Sequence, residues 1–248
     1  MFDLTGKIAV VTGSERGLGK TSALTLAAQG ADIAMCWFQE EEHALENKAA
    51  IEAMGRRAIM VHTDLTKEDE ANHLAAEALK AFGHIDILVN VVGGVIGRIP
   101  FVESTDDTWM DAFKLNLLSN IHITRALLPQ MIAQRYGRII NISSIGSRTG
   151  GAPNSAHYAA MKGAINSYTH SLSNEVAQYG VTINAVLPGT MISPLLLDTP
   201  SWSDEEVKKK YPIGRMATTD DVASMIAFLA SEESRYITGE TYAVAGGR

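Results

Sequence analysis

Tyr158 and Lys162 stand four residues apart in a stretch of helical pattern, so their side chains share one helix face. A free tyrosine has a pKa near about 10, too high for a base at neutral pH. An ammonium about 4 Å away, at an effective dielectric of about 20, contributes roughly 4 kcal/mol, or about 3 pKa units. We therefore expect Lys162 to bring the phenol of Tyr158 near neutrality, where it can exchange a proton with a carbinol oxygen. A Tyr-x-x-x-Lys pair is common by chance, so this assignment needs support from other residues.

Support comes from polar residues elsewhere in the chain. Ser143 and Ser144 follow a predicted strand at its carboxyl end, where parallel sheets present ligand-binding residues. A serine hydroxyl there can hold and polarise a carbonyl oxygen. Asn116 interrupts a helical stretch in which asparagine is a mildly poor residue. It has either a functional role or the ordinary one of a tolerated surface or kink residue.

A glycine-rich turn, Thr12-Gly13-Ser14-Glu15-Arg16-Gly17-Leu18-Gly19, follows the first predicted strand and opens the first helix. Glycine permits a sharp turn and lets the N–H groups of the helix N-terminus approach a pyrophosphate. The spacing Gly-x-x-x-Gly-x-Gly differs from the commoner Gly-x-Gly-x-x-Gly. At this place in the chain it favours a dinucleotide site over a plain turn.

The charges near this turn favour NADP(H) over NAD(H). NAD-binding proteins usually carry an acid about 20 residues further on, to bind the ribose 2′-OH, but the sequence there is Cys36-Trp37-Phe38. Arg16, within the turn, could pair with a 2′-phosphate instead. Glu15 and the run Glu40-Glu41-Glu42 would repel that phosphate if they pointed inward. We interpret the glutamate run as a solvated helix surface.

The elements that must position these residues alternate regularly. Strands are predicted at residues 8–11, 31–38, 58–62, 85–92, 138–142, 181–187 and 242–245. Helices are predicted after the glycine turn and at about 40–54, 66–83 (opened by a capping box at Thr66), 106–134, 157–178 and 220–230. This alternation implies βαβ units and a parallel sheet covered on both faces. We predict one doubly wound, Rossmann-type α/β domain over residues 1–248, in which about 189–216 form a substrate loop or lid.

Composition excludes several classes of protein. The chain has 248 residues, of which 46% are hydrophobic and 20% charged, which is ordinary globular usage. Cys36 is the single cysteine, so no intramolecular disulfide or cysteine-cluster zinc site can form, and no metal is expected. A net charge of −7 argues against a nucleic-acid partner. Without a long apolar run or a signal peptide, no membrane partner is expected and the predicted location is the cytoplasm.

Several motifs occur in a fixed order along the chain: Thr12-Gly13-x-x-x-Gly17-x-Gly19, Asp64, Asn90-x-x-Gly93, Asn116, Ser144, Tyr158-x-x-x-Lys162 and Pro188-Gly189. Together they resemble the short-chain dehydrogenase/reductase family in its compact single-domain branch. The resemblance runs from Lys7 to Gly247. It implies a Rossmann fold, hydride transfer between a nicotinamide cofactor and an alcohol/ketone pair, and a homotetramer.

The resemblance also implies roles for individual residues. Tyr158 would be the proton donor and acceptor, and Lys162 would lower its pKa and bind the nicotinamide ribose. Ser144 would hold the substrate oxygen, with Ser143 as the neighbouring alternative, and Asn116 would position a water for proton relay. Cofactor contacts are implied for Gly13, Arg16, Gly17, Leu18, Gly19, Trp37, Asp64 (adenine), Leu65, Asn90 (adenosine ribose), Gly93, and Pro188, Gly189 and Thr190 (nicotinamide).

The chain departs from the family pattern where the usual Asn-Asn-Ala-Gly is replaced by Asn90-Val91-Val92-Gly93. The loss of the second asparagine mostly touches local packing, and hydride chemistry stays compatible with it. Trp37 replaces the acid of NAD-preferring members, and Arg16 sits where NADP-preferring members often carry a basic residue. Both residues agree with the preference for NADP(H) that the charges near the glycine turn indicate.

Within the family we rank a small, mostly apolar ketone or secondary alcohol as substrate ahead of 3-oxoacyl groups on an acyl-carrier protein. Arg135 matches one position where an acidic carrier docks, but Tyr179 stands where another basic residue is expected, and the net charge of −7 attracts acids poorly. Apolar residues on the expected pocket loops are Val95, Ile96, Pro100, Phe101, Ile145, Met191, Ile192, Leu195, Leu196, Leu197 and Trp202.

Two alternatives lie outside this reaction. A regulator that senses NADP(H) without turnover would tolerate loss of Tyr158 or Lys162, whereas all four catalytic positions are filled here. A sugar-nucleotide epimerase or dehydratase is disfavoured by the glycine spacing.

His157 could reach the substrate or serve only a structural role beside the catalytic helix.

Overall fold

The computed structural model describes residues 2–192 and 204–248. In these residues seven strands form one parallel sheet in the order β3-β2-β1-β4-β5-β6-β7. The strands are β1 (Ile8–Val11), β2 (Asp32–Trp37), β3 (Ala58–His62), β4 (Ile87–Asn90), β5 (Gly137–Ile142), β6 (Val181–Pro188) and β7 (Thr241–Val244). The order reverses between β1 and β4, which is the doubly wound arrangement expected from the sequence.

Helices connect the strands. They are α1 (Gly17–Ala28), α2 (Glu41–Ala53), α3 (Glu68–Phe82), α4 (Asp106–Phe113), α5 (Ser119–Gln134), α6 (Gly146–Thr149), α7 (Ala156–Val176), α8 (Asp204–Lys210) and α9 (Thr219–Ala230). Short 3₁₀ turns lie at Phe101–Glu103, Ala177–Tyr179 and Glu232–Ser234. No helix of the described residues is long and apolar enough to cross a membrane.

Two hydrophobic cores cover the two faces of the sheet. Because neighbouring strand residues point to opposite faces, Ala9 and Val11 join one core and Ile8 and Val10 the other. The first core takes buried side chains from α1, α2 and α9, and the second from α3, α5 and α7. Burial on both faces explains why the strands are continuous apolar runs rather than alternating ones.

Three local predictions, one about a strand and two about helices, are wrong. Strand β4 is shorter than 85–92 because the Val91 and Val92 amides donate to the Thr12 hydroxyl, at 2.9 and 3.2 Å, instead of to a neighbouring strand. The predicted helix over 106–134 is interrupted by a π-helical turn at Lys114–Leu118. The capping box at Thr66 does not form, because its hydroxyl donates to Asp64 Oδ1 at 2.6 Å and α3 starts from Lys67 without a side-chain cap.

The segment 189–216 is not free of regular structure. Helix α8 lies inside it, and an isolated parallel bridge joins Met191 to Ala217. The sequence of α8, Asp-Glu-Glu-Val-Lys-Lys-Lys, has no apolar period to reveal it. Its acids precede its lysines, however, and that order complements the helix dipole. The pocket residues Leu195, Leu196, Leu197 and Trp202 lie outside the described residues.

Candidate active site

The predicted site residues gather at the carboxyl edge of the sheet. The glycine turn follows β1, Gly93 follows β4, Ser144 follows β5, and Gly189 and Thr190 follow β6. In open parallel sheets, ligands bind outside the carboxyl ends of the strands where the strand order reverses. The reversal between β1 and β4 therefore places the glycine turn at the centre of a binding cleft.

The glycines of the turn are required by its geometry. Gly13 and Gly17 adopt φ values of 60° and 53°, in the left-handed region that disfavours other residues. A Cβ on Gly19 would overlap the carbonyl oxygen of Gly13 and lie 2.6 Å from its carbon. Helix α1 starts from Arg16 without a side-chain cap, so its first N–H groups point toward the cleft without a protein side chain capping them. This cradle fits a pyrophosphate.

Two residues outside the predicted site hold this turn in place. Asn47 of α2 is buried, and its Nδ2 donates to the carbonyls of Ser14 and Glu15, each at 3.0 Å. The Thr12 hydroxyl donates to the Val89 carbonyl at 3.3 Å and accepts the two amides that follow β4. Thr12 belonged to the sequence motif without an assigned role. Asn47 gave only one signal, its spacing of three and four residues from Ala44 and Ile51, which places it on the buried face of α2.

Arg16 of the glycine turn forms an ion pair with Glu40. Its Nη1 donates to Glu40 Oε1 at 2.9 Å, while Glu40 Oε2 lies 2.8 Å from His43 Nδ1. Glu41 and Glu42 are exposed, as the interpretation of the glutamate run as solvated helix surface predicts, whereas the carboxylate of Glu40 faces the arginine in an exposed ion pair. Glu15, next to Arg16, is only 9% exposed, and its Oε2 has no hydrogen-bond partner.

Tyr158 lies in the first turn of α7, beside Ser144. Burial raises the pKa of Tyr158, and a hydrogen bond with the Ser144 side chain acts in the opposite direction. Ser144 Oγ also accepts the Gly146 amide at 3.0 Å. Ser143, by contrast, is buried and its hydroxyl donates to the Lys162 carbonyl at 2.8 Å. Ser144, and not Ser143, is therefore the serine whose side chain lies beside the Tyr158 hydroxyl.

The ammonium of Lys162 does not take the position beside the Tyr158 hydroxyl that the spacing of the two residues predicted. Its Nζ donates to the Ile142 carbonyl at 2.8 Å and lies 5.7 Å from the centre of the Tyr158 ring. Lys162 is buried, and burial lowers the pKa of its ammonium to about 8. The pKa of Tyr158 is raised, chiefly by burial, which is opposite to the lowering expected from Lys162.

Asn116 occupies the π-helical turn between α4 and α5. Such turns are rare and occur often at functional sites. Its Nδ2 donates to the carbonyls of Gly94 and Ala112 at 3.0 and 3.1 Å, and its Oδ1 accepts the Gly94 amide at 3.0 Å. A Cβ on Gly93 would lie 2.8 Å from Asn116 Oδ1 and 2.9 Å from Lys162 Nζ. Gly93 is thus the residue that lets these two polar groups approach each other.

Three residues with predicted cofactor contacts are buried. Asn90 is fully buried, and its Nδ2 donates to Thr124 Oγ1 at 3.1 Å and Asn141 Oδ1 at 2.9 Å. Its Oδ1 is buried and has no hydrogen-bond partner, so it can accept a hydrogen bond from a ribose hydroxyl, and the ribose contact of Asn90 stays a prediction. Leu18 and Leu65 place their side chains in the two hydrophobic cores. Only their main chains remain for a cofactor.

The remaining cofactor positions lie along the edge. Asp64 Oδ1 accepts the Thr66 amide at 3.0 Å, which keeps its carboxylate in the loop after β3. Trp37 ends β2, and its ring contacts that of His62 at 4.7 Å between centroids. Pro188 ends β6, the Gly189 amide donates to the Val244 carbonyl at 2.9 Å, and the Thr190 carbonyl accepts the Ala217 amide at 3.2 Å. These contacts fix the loops and leave the cofactor roles as predictions.

Arg135 and Tyr179 lie at the opposite edge of the sheet. Each lies two residues before the amino end of a strand, Arg135 before β5 and Tyr179 before β6, and Arg135 Nη2 donates to the Gln178 carbonyl at 3.0 Å. The candidate site is at the carboxyl ends, so Arg135 of this chain does not border it. Residues 2–192 and 204–248 contain no group of three or more His, Cys, Asp or Glu side chains that could hold a metal ion.

Comparison with known proteins identifies the family. A family model described as enoyl-(acyl carrier protein) reductase matches residues 12–248. A 3-oxoacyl-[acyl-carrier-protein] reductase from Synechocystis sp. is 36% identical over 248 residues, covering 100% of this chain and 98% of that protein. Its namesake from Staphylococcus aureus strain Mu50 is 34% identical over 244 residues, 97% of each chain. Nodulation protein G from Rhizobium sp. strain N33 is 36% identical over 247 residues, 100% of this chain and 98% of that protein.

The fold agrees with these relatives. A crystal structure from Sinorhizobium meliloti 1021, described as that of a short-chain alcohol dehydrogenase, superposes with a TM-score of 0.91 at 29% identity. The match covers 99% of this chain and 97% of the other. The chain therefore belongs to the short-chain dehydrogenase/reductase family of nicotinamide-dependent oxidoreductases.

Proposed function

We propose that this protein is an NADP(H)-dependent oxidoreductase that interconverts a small, mostly apolar ketone and its secondary alcohol. The observation that carries the proposal is that Tyr158, Ser144 and buried Lys162 lie together at the carboxyl edge of the sheet that also carries the glycine turn, with Lys162 Nζ 5.7 Å from the centre of the Tyr158 ring. Ile96 and Ile192 are exposed on the loops that flank this pair and offer apolar contact area. The proposed assembly is a cytoplasmic homotetramer, which sedimentation velocity of the purified protein would test.

When bound in its reduced form, the nicotinamide would supply the hydride for the carbonyl carbon, and in its oxidised form it would accept the hydride from the carbinol carbon. Ser144 Oγ holds the substrate oxygen and polarises the carbonyl. Tyr158 Oη donates the proton that converts this oxygen to a hydroxyl, and accepts it in the reverse direction. Lys162 supplies a positive charge on the α7 side of the site and, as the family resemblance implies, a contact for the nicotinamide ribose. Asn116 fixes the Gly94 loop and, by the same resemblance, a water for proton relay.

The test is steady-state turnover of the purified protein with NADPH and NADH against a panel of cyclic and linear ketones. We expect saturable NADPH oxidation with at least one apolar ketone. Tight NADPH binding without turnover on any substrate, including thioesters, would instead support the non-catalytic NADP(H)-sensing regulator.

A second candidate, 3-oxoacyl-[acyl-carrier-protein] reductase, is favoured by the names of the relatives from Synechocystis and Staphylococcus aureus. It uses the same catalytic groups, so the substrate must discriminate. Acetoacetyl-coenzyme A and an acetoacetyl-loaded carrier protein belong in the panel. A kcat/KM for the loaded carrier well above those for free ketones would establish this candidate and overturn the first.

Arg16→Ala is expected to weaken NADPH binding about tenfold and to leave NADH binding within about twofold, because a charge-assisted hydrogen bond to a 2′-phosphate contributes about 1.5 kcal/mol. The measurement is fluorescence titration, using energy transfer from the tryptophans to the reduced cofactor. Lys20→Ala, in the first turn of α1, is a charge-matched control. Equal losses for NADPH and NADH would contradict the assignment of Arg16 to the 2′-phosphate.

Ser144→Ala is expected to lower kcat about a hundredfold, because it removes a donor aimed at the substrate oxygen. Ser143→Ala removes a buried hydroxyl that donates to the Lys162 carbonyl and should instead cost about 1 kcal/mol of unfolding free energy. The pair is compared by kcat and by urea denaturation. A larger loss of kcat in the Ser143 variant would transfer the substrate contact to Ser143.

A further inference from the structure

We propose that Glu40 is a specificity-determining residue, which occupies Arg16 and thereby weakens the preference of the cleft for a 2′-phosphorylated cofactor. The inference rests on the proposed function, in which Arg16 meets the 2′-phosphate. It assigns to Glu40 the role of a competitor for that arginine. The cofactor's 2′ substituent must displace the carboxylate before Arg16 can bind it.

The geometry places Glu40 at the point where the 2′ group would lie. The Ser14 amide and hydroxyl both bond the Cys36 carbonyl, at 3.0 and 3.1 Å, so the glycine turn rests against the end of β2. Doubly wound folds recognise the ribose 2′ position between this turn and the end of this strand. Arg16 reaches across the same gap to Glu40, with an Nη1–Oε1 distance of 2.9 Å.

Both carboxylate oxygens of Glu40 are engaged. Oε1 accepts Arg16 and Oε2 lies 2.8 Å from His43 Nδ1. The hydrogen bond with His43 lowers the pKa of Glu40, and the Arg16 charge acts in the same direction. Glu40 is therefore an anion at neutral pH. Because Arg16 and Glu40 keep 48% and 32% of their side-chain surface exposed, the pair is open to an incoming ligand and to competition by it.

The charges around Arg16 penalise a phosphate more than a hydroxyl. Glu15 and Glu40 flank one arginine, and Glu15 is mostly buried with one oxygen unpartnered. A phosphate monoester brings about −1.5 to −2 charges at neutral pH, which Glu40 repels as well as competes with. A ribose 2′-OH carries no charge and can donate to a carboxylate. Glu40 thus shifts the balance of the cleft from NADPH toward NADH.

Glu40 can be neutralised without damage to the fold. It is the N-cap residue of α2, but its side chain makes no capping hydrogen bond, and exposed ion pairs contribute little to stability. Glu41, in the first turn of the same helix, is exposed and is a matched control. Glu41→Gln removes the same charge from the same helix end and leaves the Arg16 contact in place.

The experiment is fluorescence titration of the full chain with NADPH and with NADH, for the wild type, Glu40→Gln, Glu41→Gln, Arg16→Ala and the Arg16→Ala/Glu40→Gln double variant. We expect Glu40→Gln to tighten NADPH binding about fivefold, as the release of an exposed ion pair and of one repulsive charge allows. NADH binding should stay unchanged or weaken. The gain should shrink at high salt, because the charges involved are exposed.

Each outcome decides a separate claim. NADPH binding in Glu40→Gln that is no tighter than in Glu41→Gln overturns the role of Glu40. A gain that persists in the Arg16→Ala background overturns it as well, because it would be general repulsion and not competition for the arginine. If Arg16→Ala weakens NADPH binding selectively while Glu40→Gln changes neither Kd, the proposed function stands and this inference is overturned. Equal NADPH and NADH losses in Arg16→Ala overturn the proposed 2′-phosphate contact itself.

Discussion

Replacing Tyr158 with phenylalanine is expected to lower kcat about a thousandfold, while the Kd for NADPH changes by less than about threefold, because a positioned proton donor contributes about a hundredfold to ten-thousandfold. The substitution removes the hydroxyl and keeps the ring that packs at the start of α7. The cofactor cradle of the glycine turn is built from other elements. The measurements are steady-state kcat with the best ketone of the panel and fluorescence titration with NADPH.

Phenylalanine at Tyr168, a partly buried tyrosine of the same helix, gives a matched control for this prediction. Tyr168→Phe removes a hydroxyl from the middle of the same helix, ten residues further on, and should keep most of the turnover. A Tyr158 variant that retained more than about a tenth of the wild-type kcat would contradict proton donation by this residue, because loss of such a donor costs at least about a hundredfold.

The pH dependence of the wild type adds a second readout to the same prediction. Burial raises the pKa of Tyr158, so the phenol stays protonated through the neutral range and remains able to donate in the direction of reduction. Burial lowers the pKa of Lys162 to about 8, so its ammonium is present below that pH and is lost above it. We expect kcat for ketone reduction to be level up to about pH 8 and to fall above it. A rate that stayed level to about pH 10 would contradict the lowered pKa of Lys162, and a fall that began below neutral pH would contradict the raised pKa of Tyr158.

The sequence predicted the architecture because that architecture depends on local signals. The run Ile8–Val11, the glycine turn and the helix after it are contiguous, and the structure places all three as expected. The spacing of Tyr158 and Lys162 puts them on one face of α7. The resemblance to the short-chain dehydrogenase/reductase family is confirmed by the comparisons. Order along the chain was sufficient for these conclusions.

The contacts that the sequence did not predict concern side-chain directions, which depend on partners distant in the chain. Lys162 turns to the Ile142 carbonyl, 20 residues away, because a buried ammonium needs an acceptor. Glu40 turns to Arg16, 24 residues away, because an unpaired arginine lies within its reach. Asn90 turns into the sheet to meet Thr124 and Asn141. No periodicity or spacing encodes these choices, since each requires the three-dimensional neighbourhood of the strand ends.

Gly19→Ala is expected to weaken binding of NADPH and of NADH equally, by about a hundredfold, because a displacement of about 1 Å at a binding constellation can cost that much. The added Cβ would overlap the carbonyl oxygen of Gly13, and its other near neighbours, Gly13 C at 2.6 Å and Ser14 Cα at 3.0 Å, are also backbone atoms. No side-chain rotation relieves this overlap, so the glycine turn and α1 must separate. Fluorescence titration with both cofactors measures the loss.

Gly163→Ala is the control for the same chemical change, because it adds a methyl group to helix α7 where nothing lies within 4 Å of the new Cβ. It should stabilise the fold slightly, by about 0.5–1 kcal/mol, and leave both Kd values unchanged. The equal loss for two cofactors separates Gly19 from Arg16, whose loss is selective for NADPH. Wild-type affinity in Gly19→Ala would mean that the pyrophosphate does not bind over this turn, and the cofactor would have to be placed elsewhere along the sheet edge.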